Sequence, residues 1–319
     1  MSRETRTPPS ATVIVDESDE SNDNDDNNLL RLQSEELREH MGLPRSPGGT
    51  PPRYQPSLAA GFFIELAPDS SRGSRCRLPT CNEGPIIPGR YRIALNPAME
   101  WDNFMRGRSG SADFYHIRCF EMIADFSQVD YLKRVHAVTR SNFKVRGLKG
   151  NSILSGNYLV EGGIERLVLQ WRVERCRQIY AGDGNAESAE PMAENFANLL
   201  DKAGLPGFEA EKPEGMTSHE YRNLLTILAP NESDGPEDND VWNLFEQYLY
   251  TRKPGSLDNR HDLSDMIDAW WFDALLASKN EDNLSQALKE ERDKLGPKAI
   301  RALKRMSQIP MPDLQGNFR

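Results

Sequence analysis

The apolar positions of this chain change their period along its length. Gly61-Phe62-Phe63-Ile64-Glu65-Leu66 crowds aromatic and β-branched residues into six positions and predicts a strand. Arg90–Leu95, RYRIAL, alternates Tyr91, Ile93 and Leu95 with Arg90, Arg92 and Ala94. That period of two predicts a second strand with the arginines on one face and the apolar side chains on the other. Beyond it the period becomes helical. Phe120–Phe126 reads as a helical turn or two, and Ser127, three residues before Asp130, opens a helix expected to run through Val138. Ile164, Leu167, Val168, Trp171 and Ile179 form a buried stripe that stops at Gly182. Met192, Phe196, Leu199, Leu200 and Ala203 make another, stopped by Gly204, and Thr217-Ser218-His219-Glu220 is a capping box leading Tyr221, Leu224, Leu225 and Leu228. Val241–Tyr250 and Leu263–Ala277 follow, the second carrying Met266, Ile267, Trp270, Trp271 and Leu275. A charged helix pair broken at Gly296-Pro297 comes after them.

The first 57 residues show no such period. The run 16–28, DESDESNDNDDNN, repels itself and has nothing apolar to bury, so residues 1–57 are expected to be a disordered acidic, proline-rich arm. Within it LLRLQSEELREHMGL (29–43) reads as a short helix, and 44–56 as a Pro/Gly linker. No stretch of eighteen apolar residues occurs, and the first twenty residues lack the apolar core of a secretory signal.

Charge sharpens this division. The net charge is −10, which argues against nucleic acid until it is mapped. Residues 1–55 hold 6 basic and 11 acidic side chains, residues 56–180 hold 18 and 12, and residues 181–319 hold 15 and 26. A basic island therefore lies between two acidic arms, and a polyanion responds to the field within about 8–10 Å.

Three of the four cysteines fall inside that island, together with a histidine. Cys76 and Cys81 form a pair with four residues between them, His116 and Cys119 a pair with two, and 34 residues separate the pairs. Sulfur and nitrogen donors in close pairs suit tetrahedral zinc, and four protein ligands would fill the shell as in a structural site. The remaining cysteine, Cys176, sits in the helical stripe and reads as a small buried hydrophobe.

The flanks of these pairs carry a resemblance. Ser71-Arg72-Gly73-Ser74-Arg75-Cys76, then Cys81, Ile86-Ile87-Pro88-Gly89, Arg92-Ile93 and Phe114-Tyr115-His116-Ile117-Arg118-Cys119-Phe120 resemble the zinc finger of poly(ADP-ribose) polymerases, found also in a eukaryotic DNA ligase. The similarity covers about residues 61–126. It departs from the family at the first pair, which usually has two intervening residues. A two-residue knuckle lets backbone N–H groups donate to the first sulfur, and a wider loop containing Pro79 must do so differently.

The resemblance implies one structural zinc ion, nuclear localisation and binding to DNA ends, nicks or gaps without reading sequence. Arg72, Arg75, Arg77 and Arg92 are the first choices for phosphate contacts, Arg90 and Arg118 the second, each with a solvated surface role as its alternative. Trp101 and Phe104 are candidates to stack on an uncovered base, or else to pack on their own small domain. The expected fold is α+β: the acidic arm, a finger over 58–126, a helical extension over 127–180 and an acidic helical region over 181–319 that recruits nuclear proteins. No paired catalytic groups, polymerase domain or ligase core is apparent, so the chain is expected not to be an enzyme. The rival reading is a zinc-stabilised interaction adaptor in chromatin or repair complexes that does not bind DNA.

Overall fold

The computed structural model describes residues 19–46, 48–50, 60–69, 74–99, 112–139, 143–150, 158–182, 244–249 and 262–307. Its architecture is mixed, a small sheet packed by several helices, compatible with the α+β class. The stripes expected over 192–203 and 217–228 lie outside the described residues.

The sheet has four strands. Strand β1 (Gly61–Leu66) is central, because both of its faces are apolar enough to be covered. It pairs antiparallel with β4 (Tyr91–Asn96), Ile64 opposite Ile93, and β4 pairs in turn with β5 (Asp113–Tyr115). On its other side β1 runs parallel to β6 (Val135–Ala137). Between β1 and β4 lies a separate two-stranded ladder, β2 (Ser74–Arg75) with β3 (Pro85–Ile86).

Strand β6 corrects an expectation. The helix foreseen from Ser127 to Val138 is one turn, α3 (Val129–Leu132), and Ser127 bonds Asp125 instead of capping it. The β-branched Val135 and the open edge of β1 draw the following residues into the sheet, where Val135 becomes fully buried.

The acidic arm also departs from expectation. Helix α1 (Asp19–His40) takes in residues 19–28 of the acidic run and most of the segment foreseen as a short helix, and Leu37 and Met41 enter the core. Leu30, Leu37 and Met41 recur at helical spacing, and aspartates in the first turns suit the positive end of the helix dipole.

Helix α2 (Ile117–Glu121) follows β5, and past the sheet come α4 (Gly162–Gly182), a turn α5 (Glu246–Leu249), α6 (Asp262–Ser278) and α7 (Gln286–Ser307). Helix α4 buries Ile164, Leu167, Val168 and Trp171 of the foreseen stripe, leaves Ile179 half-buried and ends at Gly182. In α6, Met266, Ile267 and Trp270 are buried as expected, and Trp270 stacks on Phe245 with ring centroids 5.3 Å apart. Helix α7 breaks at Gly296, whose φ of 77° an L side chain rarely adopts, and Pro297 restarts it. The basic segment 298–306 turns Ala299, Ala302, Leu303 and Met306 inward.

Side chains from α1, the sheet, α4, α6 and α7 share one hydrophobic cluster, from Leu37 to Met306. The boundary read at residue 126 falls inside this cluster. A smaller cluster, Phe63, Ala94, Val138, Phe143 and Leu159, covers the other face of the sheet.

Candidate metal centre

Two knuckles converge on one point. The first is the loop of the β2–β3 ladder, carrying Cys76 and Cys81, and the amide of Arg77 ties it to the Phe114 carbonyl of β5 at 2.9 Å. The second is the exit of β5 into α2, where His116 is the residue preceding the helix and Cys119 lies in its first turn. Phe120, fully buried next to Cys119, stacks edge-on with Phe62 and Tyr115 and fixes that turn to the sheet.

The donor atoms of Cys76, Cys81, His116 and Cys119 all lie within 4.8 Å of one another, so the cluster can hold a metal ion. Cys81 Sγ is 3.4 Å from His116 Nδ1 and 3.6 Å from Cys119 Sγ, and Cys119 Sγ is 3.7 Å from His116 Nδ1. These three separations form one nearly equilateral face, with the Cys76 sulfur within 4.8 Å of each corner.

The widened first loop makes up for its extra residues. Backbone N–H groups of Leu78 and His116 donate to Cys76, and that of Glu83 donates to Cys81. Each sulfur of the first pair thus receives an amide from two residues ahead, and Gly84, at φ 74°, lets the chain turn back into β3.

The four groups compete for charge. A hydrogen bond from the Cys119 thiol holds Cys76 down at about 4, against burial and with help from His116. Donating to Cys76 pushes Cys119 up, burial pushes Cys81 up, and the bond to Cys76 raises His116. Three thiols this close cannot all ionise by themselves; a bound cation removes that penalty.

The arginines singled out from the sequence divide sharply. Arg92 is withdrawn from the phosphate-contact set: it is 1% exposed, and its Nη2 and Nε bond Glu65 Oε1 at 2.6 and 2.9 Å. Glu65, fully buried, also accepts from Arg146 Nε at 2.8 Å, and Phe114 lies across the Arg92 guanidinium at 3.8 Å. Arg92 further bonds Ser74 Oγ, two residues before Cys76. Alternation placed Arg92 on the correct face of β4; that face is covered by the second cluster rather than by solvent. The signal for this lay in Glu65, a lone charge within an otherwise apolar strand that needs a buried partner.

Arg75 and Arg118 are exposed beside the cluster, and Arg77 is partly exposed and paired with Asp113 at 3.2 Å. Arg90 lies over the Trp271 ring at 4.1 Å and reaches Asp268 at 2.9 Å, so α6 occupies it. Arg72, Trp101 and Phe104 lie outside the described residues. Cys176 is buried in α4, away from the cluster, as expected.

Sequence reasoning missed Glu121. Two residues past Cys119, its buried carboxylate accepts from the Leu263 amide at 2.6 Å and from Ser264 Oγ at 2.6 Å, capping α6. Among the described residues, no helix is long and apolar enough to cross a membrane. No family model, curated protein or solved structure matches the chain.

Proposed function

We propose that Cys76, Cys81, His116 and Cys119 hold one structural zinc ion, and that the module built on it is a nuclear DNA-binding unit directed at breaks or other non-B structure. Zinc is supported by the donor set and by the three separations among Cys81, His116 and Cys119. With Zn–S of about 2.3 Å and Zn–N of about 2.0–2.1 Å, a regular site has S···S near ~3.8 Å and S···N near ~3.6 Å. The separations of 3.4–3.7 Å agree. Four protein ligands leave no position for a reacting water, which supports a structural ion over a catalytic one.

The observation that carries the DNA reading is the display of arginines by the ligand knuckles. Arg75 and Arg77 flank Cys76, and Arg118 stands between His116 and Cys119, so a rigid centre presents cations without a sequence-reading helix. Such contacts hold phosphates and carry no base information.

One observation favours a second reading, the non-DNA adaptor. Arg92 is consumed inside the core, and Asp268 of α6 bonds Arg90 and lies within electrostatic reach of Arg118. The acidic helical region then presents the surface that partners meet.

The full chain decides between them. It is expected to hold one equivalent of zinc, lost in Cys76→Ala and His116→Ala, and to bind a nicked or blunt duplex with steep salt dependence. Zinc with no salt-sensitive binding to duplex, hairpin or nick establishes the adaptor. Metal content untouched by both substitutions overturns the site itself.

A further inference from the structure

The metal-centred module leaves the acidic arm without a role, yet the arm holds a compact pattern. Thr12-Val13-Ile14-Val15 is followed at once by Asp16-Glu17-Ser18-Asp19-Glu20. No other large apolar residue stands between Met1 and Leu29. Three β-branched apolar residues in succession have a strong preference for a strand, and acids on one side only give the segment a direction. Acidity continues into α1, where Asp25 and Asp26 are exposed and make no ion pair among the described residues. Helix α1 is fixed to the core at its other end by Leu37 and Met41.

We propose that residues 12–18 are a docking peptide that adds as a strand to the open sheet edge of a partner domain, with the acids of the α1 start following it. The edge it fits has an apolar trough beside it and a rim of lysines and arginines. In strand addition the main chain supplies the hydrogen bonds, and alternate side chains enter pockets. Val13 and Val15 would fill the trough, with Ile14 on the opposite side. The acids that follow then meet the basic rim within a Debye length of about 8–10 Å. Small ubiquitin-related modifiers carry an edge of this chemistry, which makes one of them the probe and ubiquitin, of the same fold but with a different edge, the control. The proposal is independent of zinc and of DNA.

The test is titration of the full chain with the modifier by calorimetry, with chemical-shift mapping on the labelled modifier. Expected are saturable binding that weakens with salt, shifts confined to the edge strand and its basic rim, and no response from ubiquitin. The combined substitution Val13→Ala, Ile14→Ala and Val15→Ala is expected to weaken binding by at least about tenfold. Replacing Asp16, Glu17, Asp19 and Glu20 by serine is expected to remove most of the salt dependence. Metal content and far-ultraviolet circular dichroism, unchanged in both variants, show the fold intact. Absence of binding by the full chain overturns the proposal, as does equal binding by the triple-alanine variant or shifts away from the sheet edge.

Discussion

The Glu121 carboxylate accepts the Leu263 amide at 2.6 Å, joining the cluster knuckle to a helix 142 residues later. Cys119 and Glu121 share one short helix, so the geometry of the centre and the start of α6 are set together. Glu121→Ala removes an acceptor from two buried amides and from Ser264 Oγ. It is expected to cost about 2–3 kcal/mol, read as a lower thermal midpoint with metal content retained. Glu121→Gln, which keeps one acceptor oxygen, should recover part of that loss.

Arginines at the surface and in the core give opposite signatures. Glu65→Ala leaves Arg92 and Arg146 buried without their carboxylate and is expected to destabilise by about 3–5 kcal/mol in denaturant titrations. Arg75→Ala and Arg118→Ala should leave stability within about 0.5 kcal/mol. In the DNA reading each lowers the slope of log K against log salt by about one.

Gly163 lies against Trp270. A Cβ built there would stand 2.1 Å from Trp270 Cζ2, closer than any real contact. Gly163→Ala must displace the indole from its stack on Phe245, at an expected cost of about 1–3 kcal/mol. A changed near-ultraviolet tryptophan signal at constant metal content is the check.

Burial raises Glu165 from 4.5 to about 7. A carboxyl that holds its proton more tightly when folded adds no penalty below the unfolded value. Stability therefore falls as pH rises from about 4.5 to about 7 and levels off above. Glu165→Gln is expected to flatten that slope in unfolding experiments across this window; an unchanged slope would refute the assignment.

Local pattern carried much of the fold. The limits of β1, the buried stripe of α4 and the break at Gly296 follow from period, β-branching and backbone chemistry within a few residues. The cluster was equally legible, since donor type and spacing are local facts. What stayed hidden depends on residues far apart in the chain. Nothing near Val135 announces a parallel partner in Phe62, and nothing near Arg92 announces Arg146. The arginine face of β4 read as solvent-facing because alternation reports two faces without saying what covers each. Helix α1 was obscured by its charge, which outweighs Leu30, Leu37 and Met41 until a core exists to receive them.

Strand β1 has consequences for synthesis. It is the middle of the sheet, but its neighbours arrive late: β4 first, then β6 after all four cluster ligands have left the ribosome. Trp270, which fills the space left open at Gly163, emerges much later again. At about 5–20 residues per second the nascent chain spends several seconds with β1 made and its covering helices absent. During that interval Phe62, Ile64 and Ile93, destined for the interior, face water and whatever chaperone is at hand. Stop codons anywhere before α6 would make this exposure permanent, turning an intermediate of manufacture into an aggregation-prone product.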